Sequence, residues 1–244
     1  MTASPGASTY CFMGRPLGEA LEALAGVVPL VEILSDSTHS LFSCADVCAS
    51  FDLRYTVHAP TSDLNIATPN ERLRQASVQV IADLAGVCDE IGAERLVVHP
   101  GFCMERGIWA ASEAALLSSL HDLSRLQEDA AVTFAVENMG SWPCCHFRDP
   151  GLLPVLDDLG LGFALDVGHA RLTGTLDAFL REGRPVHLHL HDNHGTTDEH
   201  AACGSGCIDF SAVRSALPPS ATAVVEVLEP AAVGESLAYL GRVW

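Results

Sequence analysis

Apolar residues recur along this chain in two alternating rhythms. Short runs that read as strands fall at residues 9–13, 30–34, 53–58, 95–99, 132–137, 162–166, 186–191 and 223–227. Between them apolar residues return every three or four positions, most clearly over 17–25, 70–91, 108–126 and 233–240, which is the helical period. Thr68-Pro69-Asn70 is a helix-start signal for the second of these stretches, and Ser112-Glu113 opens part of the third. Eight strands alternating with about eight helices predict an α/β chain folded as a single (β/α)8 barrel over residues 1–244. An open doubly wound sheet is the alternative, but it usually has fewer strands. No glycine-rich dinucleotide fingerprint follows the first strand, and no internal repeat is visible beyond the βα unit.

Polar residues interrupt this pattern at the strand ends. The third strand ends in His58-Ala59-Pro60 and the fourth in His99-Pro100-Gly101. The fifth ends in Glu137-Asn138, the sixth in Asp166-Val167-Gly168-His169, and the eighth in Glu226. The seventh opens the segment 186–200, V-H-L-H-L-H-D-N-H-G-T-T-D-E-H, which holds five of the chain's eleven histidines. Its alternation with Leu188 and Leu190 points His187, His189 and His191 to one face of a strand, and Asp198-x-His200 follows in a polar loop. In a parallel barrel such strand ends converge on one face, where active sites are built. Imidazoles and carboxylates gathered there suit a borderline divalent ion such as zinc or manganese. A lone His58 or His99 reads more simply as a hydrogen-bonded core histidine; six successive strand ends together do not.

Composition narrows the partners. Apolar residues make up 48% of the 244 and charged residues 18%, a globular protein with a large core. The formal charge of −18 argues against nucleic acid as the main partner, because a phosphate backbone is held by Lys and Arg. No run of ~20 apolar residues suggests a membrane span, and the first residues lack the features of a secretory signal, so a cytoplasmic setting is expected. The nine cysteines are odd in number and scattered, a poor disulfide framework. Cys44-x3-Cys48 and Cys203-x3-Cys207 have spacings open to zinc, yet most of the nine read as small buried hydrophobes. Cys203 lies nearest the histidine-rich loop. A homodimer through an exposed barrel rim is compatible with this composition.

With D-V-G-H at Asp166–His169, H-L-H-D at His189–Asp192 and Asp198-x-His200, the chain resembles the xylose-isomerase-like TIM-barrel superfamily. The resemblance runs from about Leu53 to Glu226 and is nearest to the endonuclease IV and sugar-phosphate isomerase/epimerase branches. In the endonuclease branch it implies three metal ions on nine ligands. His58 and His99 would hold the first, with Glu137 bridging to a second completed by Asp166, His189 and Glu226. His169, Asp198 and His200 would hold the third. The chain departs from the family at Cys203-Gly204-Ser205-Gly206, where a Leu-Gly-Glu-Gly segment is common, and its loops are short for reaching into DNA.

Two chemistries follow from one set of residues. The first is a metal-dependent isomerase or epimerase of a small sugar, sugar phosphate or polyol, working through an enediolate. There Glu137, Asp166, His189 and Glu226 hold one ion, Glu137 or Glu226 moves the proton, and His169 polarises a substrate hydroxyl. The alternative is phosphoester hydrolysis at a three-metal site of the endonuclease IV type, on a small phosphoester. A barrel that binds without catalysis is a poorer match to an intact ligand set. Glu32, Asn138, Trp142 and His191 are candidate substrate contacts. Three of these have a plainer reading. Glu32 reads as an exposed helix-entry carboxylate, Asn138 as a turn-orienting amide, and His191 (with Asp192) as support for a ligand. His187 is expected to pack within the barrel, His194 to face solvent, and Trp109 either to wall a sugar site or to pack a helix.

Overall fold

The computed structural model describes residues 4–244, and these close into one barrel. Its eight strands are β1 (Gly6–Ser8), β2 (Leu30–Leu34), β3 (Arg54–His58), β4 (Arg95–Val98), β5 (Thr133–Glu137), β6 (Gly162–Asp166), β7 (His187–Leu190) and β8 (Thr222–Val225). All neighbours are parallel and in sequence order, and β1 pairs β8 to close the ring. Helices α1 (Leu17–Ala25), α2 (Leu41–Cys44), α3 (Glu71–Ile91) and α4 (Trp109–Asp129) clothe the first half. The second half carries α5 (Leu153–Asp158), α6 (Val167–Thr173), α7 (Leu176–Glu182), α8 (Phe210–Ala216) and α9 (Pro230–Val243). No helix among the described residues is long and apolar enough to cross a membrane.

The main core lies between strands and helices, with Phe134, Phe179 and Phe210 among its largest fully buried side chains. Inside the barrel the apolar filling is thin: Val97, Ala135 and Ala164 form a small separate cluster. The remaining interior is polar, including Glu32, Thr56, His187 and Thr222, all buried. An inward-pointing side chain at the C-terminal end of such a strand faces the barrel mouth, while its neighbours alternate outward into the main core, as Leu190 and Val225 do. That constraint places the site.

The first strand differs from the expected 9–13. Gly6, Ala7 and Ser8 form it, and Thr9–Phe12 is a turn of 3-10 helix whose start is capped by Ser8 Oγ accepting from Tyr10 N at 3.2 Å. A Cβ on Gly6 would stand 2.2 Å from Leu30 O, so close packing against β2 selects small residues that carry no hydrophobic signature. The apolar Tyr10-Cys11-Phe12 drew the sequence reading one turn too far along. At α3 the start falls as expected, with Asn70 Oδ1 accepting from Arg72 N. Ser112, by contrast, lies inside α4 and opens nothing; its Oγ donates to Ala67 O at 2.7 Å.

Candidate metal centre

At the C-terminal mouth the strand ends deliver the expected side chains into one cluster. Glu137 Oε2 stands 3.0 Å from His58 Nε2 and 3.2 Å from His99 Nε2. Its other oxygen lies 3.3 Å from both His189 Nδ1 and His169 Nδ1. His189 Nδ1 is also 3.6 Å from Glu226 Oε2 and 3.8 Å from Asp166 Oδ2. Asp198 Oδ2 then links His169 Nε2 at 3.3 Å and His200 Nε2 at 3.2 Å. Donors on a tetrahedral ion at ~2.1 Å stand about 3.4 Å apart, so these separations are those of a ligand set.

Backbone carbonyls aim several of the rings. A carbonyl oxygen can only accept, so the imidazole nitrogen facing it carries a proton and the other nitrogen is the one left to face the cluster. His58 Nδ1 donates to Ala59 O at 2.7 Å, His169 Nδ1 to Asn138 O at 3.0 Å and His200 Nδ1 to Glu226 O at 3.0 Å. In all three the Nε2 atom turns to the cluster. His200 reaches its carbonyl from a left-handed backbone, φ 43°, a conformation non-glycine residues adopt sparingly. Metal-binding histidines are oriented in this way.

Electrostatics agree. Burial opposes charge on Glu137, yet the imidazoles of His189 and His99 overcome it and hold the carboxyl well below its ordinary range. Burial likewise opposes charge on His169, but Asp166, Asp198 and Glu137 push it well above the usual imidazole value. His189 behaves alike beside Glu226, Glu32 and Glu137, and His200 is lifted to about 9 against its burial, chiefly by Asp198. The carboxylates thus demand positive charge, which divalent ions supply in place of those protons. His189 Nδ1 and Asp198 Oδ1 at the mouth are buried without a hydrogen-bond partner, as are Glu32 Oε1, His187 Nε2, His189 Nε2 and His191 Nδ1 around them. The donor set fits divalent metal, in groups of His58, His99 and Glu137; Glu137, Asp166 and His189; and His169, His191, Asp198 and His200, while Glu32, His187 and His189 form a fourth such group on the barrel floor.

Of the residues expected to touch substrate, only Trp142 borders the cavity. Glu32 is no exposed carboxylate and no substrate contact. It is fully buried on the barrel floor, 2.8 Å from His187 Nε2 and 2.9 Å from His189 Nε2, and accepts from Thr56 Oγ1. Asn138 is engaged at both ends by the Asp166 backbone, donating to its carbonyl and accepting from its N–H, so it orients a turn. His191 Nε2 lies 3.0 and 3.1 Å from the two Asp166 oxygens, and its ring stacks on His200 at 3.9 Å, behind the ligands and away from the cavity. His187 is packed in the barrel and His194 is exposed. Trp109 packs against His146 at the start of α4, outside the metal cavity.

Asp192 has a role that spacing alone did not reveal. Its Oδ1 accepts from Asn193 N and Ile208 N, and its Oδ2 from Gly204 N and Gly206 N, all between 2.9 and 3.1 Å. Gly204 sits at φ 86°, and a Cβ on Gly206 would fall 2.4 Å from Asp192 Oδ1. The Cys203-Gly204-Ser205-Gly206 segment is therefore a backbone wrap around one buried carboxylate. Burial pushes the Cys203 thiol up to about 12, so it stays protonated beside the loop. All nine cysteines are free, and neither cysteine pair joins a metal-ligating group among the described residues.

The ligands open on a cavity of about 310 Å³. A larger one, about 490 Å³ near Trp109, His146 and Arg148, gathers no ligand set among the described residues.

The chain is a closed parallel barrel whose C-terminal mouth gathers imidazoles and carboxylates that fit divalent metal. Residues 24–242 match the family described as xylose isomerase-like TIM barrel, and the chain belongs to it. It is 35% identical over 212 residues to the uncharacterized protein MJ1614 of Methanocaldococcus jannaschii, covering 84% of each chain. It is 29% identical over 203 residues to a probable endonuclease 4 of Mycobacterium leprae, covering 76% of this chain and 77% of that one. Among solved structures, a D-tagatose 3-epimerase-like protein superposes with TM-score 0.88 at 27% identity, over 98% of this chain and 96% of the other. The TTHB071 protein of Thermus thermophilus, soaked with zinc chloride, superposes with TM-score 0.76 at 27% identity over 100% and 98%. Other barrels of this shape, under 25% identical, are sugar epimerases and share the fold.

Proposed function

We propose that this barrel is a divalent-metal-dependent hydrolase of small phosphoesters. The supporting observation is the surplus of prepared ligands. Glu137, Asp166, His189 and Glu226 would suffice for one ion, yet His58, His99, Asp198 and His200 join the same cluster. Three of the imidazoles are aimed by carbonyls. When bound, such ions act as Lewis acids on a phosphoryl group and raise the acidity of water beside it.

The chain's own residues divide the remaining work. Glu137 ties the first and second subsites through its two oxygens, and Asp198 ties His169 to His200. Glu226 fixes His200 through its carbonyl while presenting its carboxylate toward His189, so one residue sets two ligands. Glu32, at Nε2 of His189, favours the tautomer whose Nδ1 lone pair faces the mouth. The free cysteines suit a reducing, cytoplasmic setting.

A second reading, epimerisation of a small sugar on the four-residue core, is supported by the likeness to the D-tagatose 3-epimerase-like structure. Elemental analysis after reconstitution with zinc or manganese separates the two. About three tightly held ions and turnover of a small phosphodiester support hydrolysis, whereas one ion and turnover of a ketose support epimerisation. Asp198→Asn should abolish hydrolysis but only weaken epimerisation. Full hydrolytic activity in that variant would end the three-subsite mechanism.

A further inference from the structure

The cavity is lopsided. Its ligand-bearing wall is dense with charge, while its other lining side chains are Tyr10, Leu34, Thr61, Met139 and Trp142. Among the described residues no Lys, Arg, Asn or Gln lines it. The Thr61 hydroxyl is turned to Asp36 Oδ2 at 3.4 Å, and the Tyr10 ring stands beside His200 with centroids 5.0 Å apart, so the Tyr10 hydroxyl is the remaining polar group of the lining that is not a ligand. A sugar brings several hydroxyls, and each one buried without a partner costs about 1–3 kcal/mol. This wall suits something apolar.

Trp142 shows what kind of group. It is 44% exposed at the cavity edge, and its indole meets the His169 imidazole in a T-shaped contact with centroids 5.8 Å apart. Gly140 makes room for both rings: a Cβ there would lie 2.9 Å from His169 Cδ2 and 3.1 Å from Trp142 Cζ3. The backbone is thus shaped so that a large aromatic side chain stands next to a metal-ligating imidazole and stays partly open.

We propose that the substrate is a singly charged phosphodiester carrying a planar aromatic group, which packs on Trp142 with Leu34 and Met139 at its margin. This rests on the hydrolase reading and names its substrate class. A lone phosphodiester charge is met by the metal subsites, and the absence of cations from the lining leaves further anionic groups unmatched. The chain's formal charge of −18 turns away a polyanion.

The test uses zinc-reconstituted protein and p-nitrophenyl diesters that share one leaving group. Water adds at phosphorus, the P–O bond to p-nitrophenol breaks, and the phosphomonoester remains. The phenyl ester should exceed the methyl ester in kcat/KM by about tenfold or more, the scale of aromatic stacking. That ratio should fall toward one in Trp142→Ala and return in Trp142→Phe. The thymidine 5′ ester separates sources: above the phenyl ester it assigns a nucleoside, below it a simple aryl group. Calorimetry with phenylphosphonate and methylphosphonate reads the same preference without turnover. Equal binding and equal turnover of phenyl and methyl compounds overturn the aromatic subsite and leave the hydrolase standing. Hydrolysis of none of the esters overturns the hydrolase reading and this inference with it.

Discussion

Two clusters of the same residue types lie within one barrel, one above the other. At the floor, Glu32 sits between His187 and His189, with Thr56 and Thr222 closing the remaining contacts. At the mouth, Glu137 sits among His58, His99, His169 and His189. Composition does not separate them. The floor is sealed, with Glu32 held against His187 and His189 inside the barrel, whereas the mouth borders an open cavity; both hold buried polar atoms short of a hydrogen-bond partner. His189 belongs to both, Nε2 to the floor and Nδ1 to the mouth. A buried carboxylate–imidazole pair is therefore structural or functional according to what its free valences face.

The largest effect should come from the mouth. Glu137→Gln removes the carboxylate shared by two subsites, and metal content should drop from about three ions to one, with turnover down by at least about a thousandfold. Retention of all three would show that Glu137 does not bridge. Glu32→Gln probes the shared ring: metal affinity should weaken by about ten- to a hundredfold in a titration, since orienting partners matter on that scale. His187→Gln touches only the floor, so stability should fall by about 1–3 kcal/mol in denaturant while metal content holds. If His187→Gln strips the metal, floor and mouth are one unit and the contrast fails.

The smallest effect concerns a sealed histidine away from both clusters. His39 lies buried between Thr9 Oγ1 and Arg15 O, and burial pulls its pKa below 6.5. The folded chain keeps it neutral where the unfolded chain already binds a proton. Stability should therefore decline as the pH falls below about 6.5, and less so in His39→Gln. Denaturant midpoints at pH 7.5 and 5.5 for both proteins measure the difference.

The barrel was legible because seven strands carried apolar runs, and β2 and β6 fall at the expected limits. The strand of Gly6, Ala7 and Ser8 was not, since tight packing there demands small side chains. The nine candidate ligands stand at strand ends and in a polar loop, where the family resemblance put them, and the structure gathers their side chains at one mouth. Their supports were harder to read. Period two puts His187, His189 and His191 on one face, but depth along the barrel axis gives each a different neighbour, and a linear pattern carries no depth. Glu32 escapes a linear reading for that reason: the floor around it is polar and closed, an arrangement made with residues of three other strands, β3, β7 and β8. Asp192 was legible as a polar turn residue, while its four N–H partners come from residues up to sixteen positions away.

That carboxylate gives the barrel a detachable part. Asp192 pairs through its backbone with Ala201 and through its side chain with residues 204, 206 and 208, so the segment between is clasped at its base like an Ω-loop. Its tip, with exposed His194 and Thr197, contributes nothing to the strands below. Mutation can lengthen or rewrite that tip while the clasp keeps its register, and Asp198 and His200 stay fixed at its base by His169, Glu226 and Leu228. Evolution can thus exchange what enters the mouth without refolding the scaffold, one route by which a single barrel serves several chemistries.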